Sequence, residues 1–289
     1  RRKPPMIMGH EFSGRIHALG EGVDGLRIGQ RVTATPLLTC GHCANCLAGM
    51  PNICQNRIGL GVTLNGAYAD YVKVTRKMVF PLPDAMSWQQ GALVEPLAVG
   101  MRAVNLTQFP LDATVFVIGA GTIGLMVIAA ARLRGAGKIF VADLSDHRLE
   151  MARKFGADVT IHSGREDALQ AVKTLTGSTG ADAVIEAVGV TATAKLSLFA
   201  ARNGGFVTWI GNSEPEVTIN MQQIVTRELR LQGSYGFNQE FEQSIGMIQS
   251  GRVDPTGLVE KVASLEEGPQ LVRDLAEGKS EFMKVILTV

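Results

Sequence analysis

The run Val115-Phe116-Val117-Ile118-Gly119-Ala120-Gly121-Thr122-Ile123-Gly124, followed by Leu125-Met126-Val127-Ile128, decides the fold of this chain. Four apolar strand formers lead into three glycines spaced Gly-x-Gly-x-x-Gly, and an apolar helical stretch follows at once. In that setting the first glycine permits a tight strand-to-helix turn. The second lets backbone approach a pyrophosphate, and the third lets helix and strand pack closely. The helix then offers its positive dipole end to an anion. The chain holds 33 glycines, so the motif alone is a weak signal, and the flanking strand and helix supply its specificity. Gly119, Gly121, Thr122, Ile123 and Gly124 are therefore the expected cradle of a dinucleotide. Asp143 closes the second strand about 20 residues downstream, where an acid binds the adenosine ribose hydroxyls. A carboxylate there repels a 2′-phosphate, so NAD is expected over NADP. Arg148 falls in the next helix and is expected along the adenine.

Outward from this motif, short apolar strands alternate with amphipathic helices. The pattern predicts strands over Val115–Ile118, Lys138–Ala142, Asp158–Ile161, Ala183–Glu186, Phe206–Ile210 and Leu229–Gly233. Helices are predicted over Met126–Arg134, Arg148–Phe155 and Ala168–Thr174. Such alternation implies a parallel sheet with helices on both faces. The earlier part, Val32 to Phe80, is rich in Gly, Pro and Thr with short alternating runs such as Ala69–Val74, which predicts small strands around turns. Two helical stretches, Glu240–Ile248 and Glu266–Ala276, precede a closing strand, Lys284–Val289. That tail is too short for a domain of its own. It is expected to pack back on the first β-rich part, which makes residues 98–237 an inserted nucleotide domain between 1–97 and 238–289.

Every cysteine of the chain lies in one stretch, as Cys40, Cys43, Cys46 and Cys54. The spacing suits a tetrahedral Zn²⁺ held by four thiolates, with Gly41, Gly49 and Pro51 supplying the turns. Two disulfides are the alternative; with no apparent signal peptide, a reducing compartment and zinc fit better. Four ligands leave no open coordination position, so this zinc is expected to be structural. The 28 basic and 27 acidic residues leave a net charge of +1, which gives no global pull toward nucleic acid or an anionic membrane. No run reaches the 18 or so apolar residues of a membrane helix. A cytoplasmic protein acting on a small molecule is the expectation.

The stretch Gly9-His10-Glu11-Phe12-Ser13-Gly14, followed by Gly20 and Val23, resembles the signature of zinc-containing alcohol dehydrogenases of the medium-chain family. The resemblance covers the chain, including the cysteine lobe, the glycine motif and Glu186-Ala187-Val188-Gly189. Glu95-Pro96-Leu97-Ala98-Val99-Gly100 is similar to the polyol (sorbitol) dehydrogenase branch, where a glutamate stands in place of a cysteine beside the catalytic zinc. The fold this implies is α/β, a doubly wound parallel-sheet Rossmann domain inserted in a mostly β, GroES-like catalytic domain with a zinc lobe. His10 is by this resemblance a catalytic zinc ligand, Glu11 and Glu95 are ligands or water-bridged partners, and Gly189 and Gly211 join the cofactor site. The resemblance also implies a cysteine ligand on a segment before His10. Nine residues precede His10 and none is Cys, so the chain is read as beginning partway into a domain.

A thiolate and two directly bound carboxylates would leave the Zn²⁺ centre at net −1, which weakens its acidifying power, so one carboxylate is expected to stand off the metal. The implied reaction is hydride transfer from a secondary alcohol of a polyol, sugar alcohol or diol to NAD. Threonine 3-dehydrogenase and sugar-alcohol-phosphate dehydrogenase are variants, and a non-catalytic NAD-binding protein of the same fold is the alternative class. Sorbitol dehydrogenases carry an arginine near Tyr235-Gly236-Phe237, which this chain replaces with Gly236, a departure that argues against sorbitol itself. A homo-oligomer, dimer or tetramer, is expected from the same resemblance.

Overall fold

In the computed structural model, which describes residues 4–289, the turn-rich first part forms strands that are too short to stand alone and pair into small sheets. Strand β1 (Ser13–Arg15) runs antiparallel to β2 (Arg31–Ala34), while β3 (Leu37–Leu38) pairs with β4 (Ile58–Gly59) on either side of the cysteine lobe. Strand β5 (Val79–Pro81) completes a three-stranded sheet in the order β1-β2-β5. The lobe contains the one-turn helix α1 (Ala44–Leu47). Helix α2 (Trp88–Ala92) starts on a capping box, in which Ser87 Oγ accepts from the Gln90 N–H at 3.0 Å and Gln90 Oε1 accepts from the Ser87 N–H at 2.9 Å. Helix α3 (Val94–Thr107) follows directly. The expected strand over Ala69–Val74 does not form. Val72 and Val74 pack against Ala34, Leu60 and Met78, so burial alone accounts for the apolar alternation, with no strand pairing.

The middle of the chain alternates as its pattern predicts. Strand β6 (Thr114–Ile118) leads to α4 (Thr122–Leu133), β7 (Lys138–Asp143), α5 (Asp146–Lys154), β8 (Val159–His162) and α6 (Ala168–Leu175). The series continues through β9 (Ala181–Glu186), α7 (Thr191–Ala200), β10 (Ala201–Trp209), α8 (Gln222–Val225) and β11 (Arg230–Gly233). All six strands are parallel, in the order β11-β10-β9-β6-β7-β8, which reverses direction between β6 and β9 as in a doubly wound sheet. Both faces are covered, so the central strands are continuous apolar runs in which Phe116, Phe140, Val184 and Val207 are buried. Each such side chain contributes about 1.5–3 kcal/mol of transfer free energy. Helix α4 begins at Thr122, a turn earlier than the expected Met126. Its first turn includes Gly124, whose missing side chain is what allows the close approach: a Cβ there would lie 1.9 Å from the Gly119 carbonyl oxygen.

The last part comprises α9 (Glu240–Gln249), β12 (Val259–Ser264), α10 (Gly268–Ala276) and β13 (Lys284–Thr288), with β12 and β13 paired in parallel. Phe241 of α9 meets Phe80 of β5 at a ring separation of 4.9 Å and Phe237 at 5.1 Å, burying the tail against the early strands. Two compact units result, Arg1–Ala98 with Phe237–Val289 and Val99–Gly236, the second inserted in the first. Among the described residues no helix is long and apolar enough to cross a membrane.

Candidate metal centres and dinucleotide cradle

The four cysteine sulfurs converge. Cys40 Sγ lies 3.9 Å from Cys46 Sγ and 3.5 Å from Cys54 Sγ, and Cys43 Sγ lies 3.8 Å from Cys54 Sγ. A tetrahedron with Zn–S bonds near 2.3 Å has edges of about 3.8 Å, so the donors fit that ion. The cysteines are free, and the separations are far above the S–S length of about 2.05 Å. Backbone N–H groups point at the sulfurs: Cys43 N–H donates to Cys40 Sγ at 3.3 Å and Cys40 N–H to Cys54 Sγ at 3.4 Å. The acidities of the thiols differ. Cys40 is lowered to about 6, chiefly by a backbone hydrogen bond from His42, while desolvation pushes Cys46 up to about 12. Four thiolates in one lobe need a cation to neutralise them.

A second group forms around His10, whose ligand atom lies with those of Glu11 and Glu95 inside a mutual separation of 4.8 Å. The backbone before His10 is held by close contacts that only glycine permits. Gly9 takes φ +92°, and a Cβ on Gly66 would come 2.0 Å from its carbonyl oxygen. Hydrogen bonds from Gly66, Ala67 and Tyr68 N–H to Ile7, Gly9 and Met8 carbonyls, at 2.8, 2.9 and 2.9 Å, clamp this segment. Glu95 sits in the first turn of α3 and is buried. Its pKa is raised to about 8, chiefly by burial and further by the Glu11 charge, with Lys284 partly opposing both. Glu11 accepts a short hydrogen bond from Lys284 Nζ of β13. An imidazole and two carboxylates are a suitable donor set for zinc. Tetrahedral edges with bonds near 2.1 Å measure about 3.4 Å, so a spread of up to 4.8 Å leaves room for one carboxylate to stand off. His10, Glu11 and Lys284 line a cleft of about 1340 Å³ together with Phe12 and Tyr68.

The dinucleotide motif forms one continuous turn. Gly119 ends β6 with φ +95°, Gly121 caps α4, and Thr122, Ile123 and Gly124 make its first turn. Asp143, at the carboxyl end of β7, takes on work the sequence does not reveal. Its Oδ2 accepts from the Ala120 N–H at 2.7 Å, and Oδ1 from the Leu144 and Ser145 N–H groups at 2.7 and 3.0 Å. Arg148 is exposed in the first turn of α5. Gly189 and Gly211 lie on adjacent loops in contact: a Cβ on Gly211 would approach Gly189 N to 2.2 Å.

The structure thus brings His10, Glu11 and Glu95 into one group, the four cysteines into another, and the glycine turn and Asp143 into a third. Sequence reasoning missed Lys284. It is 273 positions from Glu11, and an amine opening a closing strand carries no local signal of its partner.

The family model described as zinc-binding dehydrogenase matches residues 122–250, and that of the alcohol dehydrogenase GroES-like domain matches residues 1–84. The sorbitol dehydrogenase of Bacillus subtilis (strain 168) is 35% identical over 285 residues, which span 98% of this chain and 81% of the relative. Galactitol-1-phosphate dehydrogenase from Escherichia coli superposes with a TM-score of 0.92 at 33% identity, covering 99% of this chain and 85% of its own. A protein of Sinorhizobium meliloti 1021 described as a zinc-binding dehydrogenase and solved with NADP superposes with a TM-score of 0.93 at 31% identity, covering 100% of this chain and 85% of its own.

Proposed function

Because this chain belongs to the zinc-binding, medium-chain alcohol dehydrogenase family, and is therefore an oxidoreductase, we propose that it interconverts a secondary alcohol of a polyol, sugar alcohol or diol with the ketone, using NAD. The observation that carries this reading is the convergence of His10, Glu11 and Glu95. When bound, zinc at that group supplies Lewis acidity toward the alcohol oxygen and the nicotinamide supplies the hydride acceptor.

The remaining work falls to side chains of the chain itself. His10 would hold the metal through its imidazole, with Glu95 presenting a buried carboxyl beside it. Lys284 neutralises Glu11, which limits the excess of negative charge at the centre. Cys40, Cys43, Cys46 and Cys54 hold a structural zinc. Gly119 to Gly124 and the amino end of α4 receive the pyrophosphate, with Asp143 on the adenosine ribose, Arg148 along the adenine, and Gly189 and Gly211 on the cofactor's other half. The S. meliloti relative was solved with NADP; the Asp143 carboxylate argues for NAD in this chain. The polyol class is supported by the sorbitol and galactitol-1-phosphate activities for which the other two relatives are named. An oligomer, dimer or tetramer, is part of the proposal, supported by the outer edge of β11, which among the described residues pairs with β10 alone.

Zinc-loaded protein assayed with NAD or NADP against polyols, diols, sugar-alcohol phosphates and L-threonine tests the reading. NAD reduction with a polyol or diol is the expected result. Stoichiometric dinucleotide binding with oxidation of none of them would overturn it.

A further inference from the structure

Glu186 ends β9 at the point where the strand order reverses, paired in register with Ile118 of β6 on one side and Trp209 of β10 on the other. Its side chain is 1% exposed. One carboxylate oxygen, Oε1, accepts from the Val188 N–H at 2.9 Å and the Gly189 N–H at 2.7 Å. Its main-chain carbonyl accepts from the Ile210 and Gly211 N–H groups at 2.9 and 3.1 Å. The other carboxylate oxygen, Oε2, lies beneath Gly211, where a Cβ would come within 2.6 Å of it. A single residue therefore holds the loops that leave β9 and β10.

Other bonds stitch the same loops together. Ser213 Oγ donates to the Val188 carbonyl at 2.6 Å, the Glu214 N–H donates to the Gly189 carbonyl at 2.8 Å, and Thr191 donates to Glu214 Oε2 from N at 2.8 Å and Oγ1 at 2.9 Å. The glycine turn abuts them, since a Cβ on Gly119 would meet Val188 Cγ2 at 2.7 Å. No Lys, Arg or His among the described residues pairs with Glu186. A buried carboxylate with no cationic partner is expensive, and such groups persist where a site uses them.

In a doubly wound sheet the dinucleotide straddles the reversal point, one half over each set of strand ends. Asp143 on β7 marks the adenosine side, which leaves the ends of β9 and β10 for the nicotinamide half. Resting on the dinucleotide assignment above, we propose that Glu186 is a positioning residue that braces the nicotinamide-side loops and, through its buried charge, favours the oxidised over the reduced cofactor. The oxidised nicotinamide ring carries a positive charge that the reduced ring lacks. A brace alone acts on both forms equally, whereas a fixed negative charge discriminates between them.

Fluorescence or calorimetric titration of the zinc-loaded chain with NAD⁺ and with NADH tests this. Glu186→Gln keeps the length and one accepting oxygen but removes the charge. The ratio Kd(NAD⁺)/Kd(NADH) is expected to rise about tenfold, with little change in Tm. Glu186→Asp keeps the charge and loses the reach, so both affinities should fall while the ratio stays near that of the wild type. Where the Gln variant folds poorly, a ratio in Glu186→Asp that departs from the wild-type value would overturn the inference, because that variant keeps the charge. A ratio in Glu186→Gln equal to that of a wild type that binds both forms would overturn this inference alone. Failure of the wild type to bind either form would overturn the cofactor assignment together with it.

Discussion

Replacement of Asp143 by Ser is expected to have two separable effects, because the carboxylate is the one proposed for the adenosine ribose and also serves three backbone donors. The first effect is on the fold. Bonds to a charged acceptor contribute about 1.5–3 kcal/mol each when buried, but this site is half-exposed and water takes over part of the loss. A net destabilisation of about 2 kcal/mol follows, which for a chain of this size lowers Tm by about 4–8 °C. The second effect is on cofactor choice. At about 4 Å and an effective dielectric near 20, one pair of like charges repels by about 4 kcal/mol, and screening reduces what a titration measures. Kd(NADP)/Kd(NAD) should therefore fall by about 10- to 100-fold in Asp143→Ser. Binding titrations at fixed ionic strength, with thermal melts in parallel, read both numbers from one preparation. A ratio unchanged within about twofold, beside a lowered Tm, would leave Asp143 as a brace only and refute the ribose assignment.

Cys43→Ser leaves three thiolates around an open metal, so the variant should lose bound zinc and most of its thermal margin; metal analysis and melting decide it, and retention of both refutes the structural assignment. In chelator-treated protein Glu95 has a folded pKa near 8 against an ordinary 4.5, so the native state holds a proton that the unfolded chain releases. Its contribution to stability is greatest below pH 4.5 and is lost as pH rises toward 8. Melts across that window should slope downward in the wild type and flatten in Glu95→Gln, and an unaltered slope contradicts the burial account. In the inserted unit Thr107 and Thr208 hydroxyls meet at 2.9 Å in full burial, and Thr107 also donates to the Ala103 carbonyl. Thr107→Val, which orphans Thr208, should cost about 1–3 kcal/mol and Thr208→Val about 1 kcal/mol, with the double variant below the sum in urea denaturation.

The parallel sheet was legible because its strands are buried on both faces, and a strand with no solvent side is written as an uninterrupted apolar run, as in Val115–Ile118. The cradle and the cysteine lobe were legible for a related reason. Each is built from residues close along the chain, so spacing alone determines which atoms converge. The first part was less so: Ala69–Val74 carries strand alternation without becoming a strand, since its valines are buried by side-chain packing with no ladder to join. The His10 and Glu95 pairing came from likeness to a family, and no local pattern of these residues predicts that they meet.

By itself the sequence determined that the inserted unit is a parallel sheet covered by helices, and where the cysteine lobe and the glycine turn lie, all of which follow from periodicity or short spacing. Tertiary structure alone decided that Lys284 neutralises Glu11, that Asp143 also ties the glycine turn to β7, and that Glu186 braces two loops without a counter-ion. Those facts depend on contacts between chain segments far apart in sequence or on burial created by neighbouring strands. A charge's partner and its surrounding dielectric are properties of the packed molecule, and a linear pattern records neither.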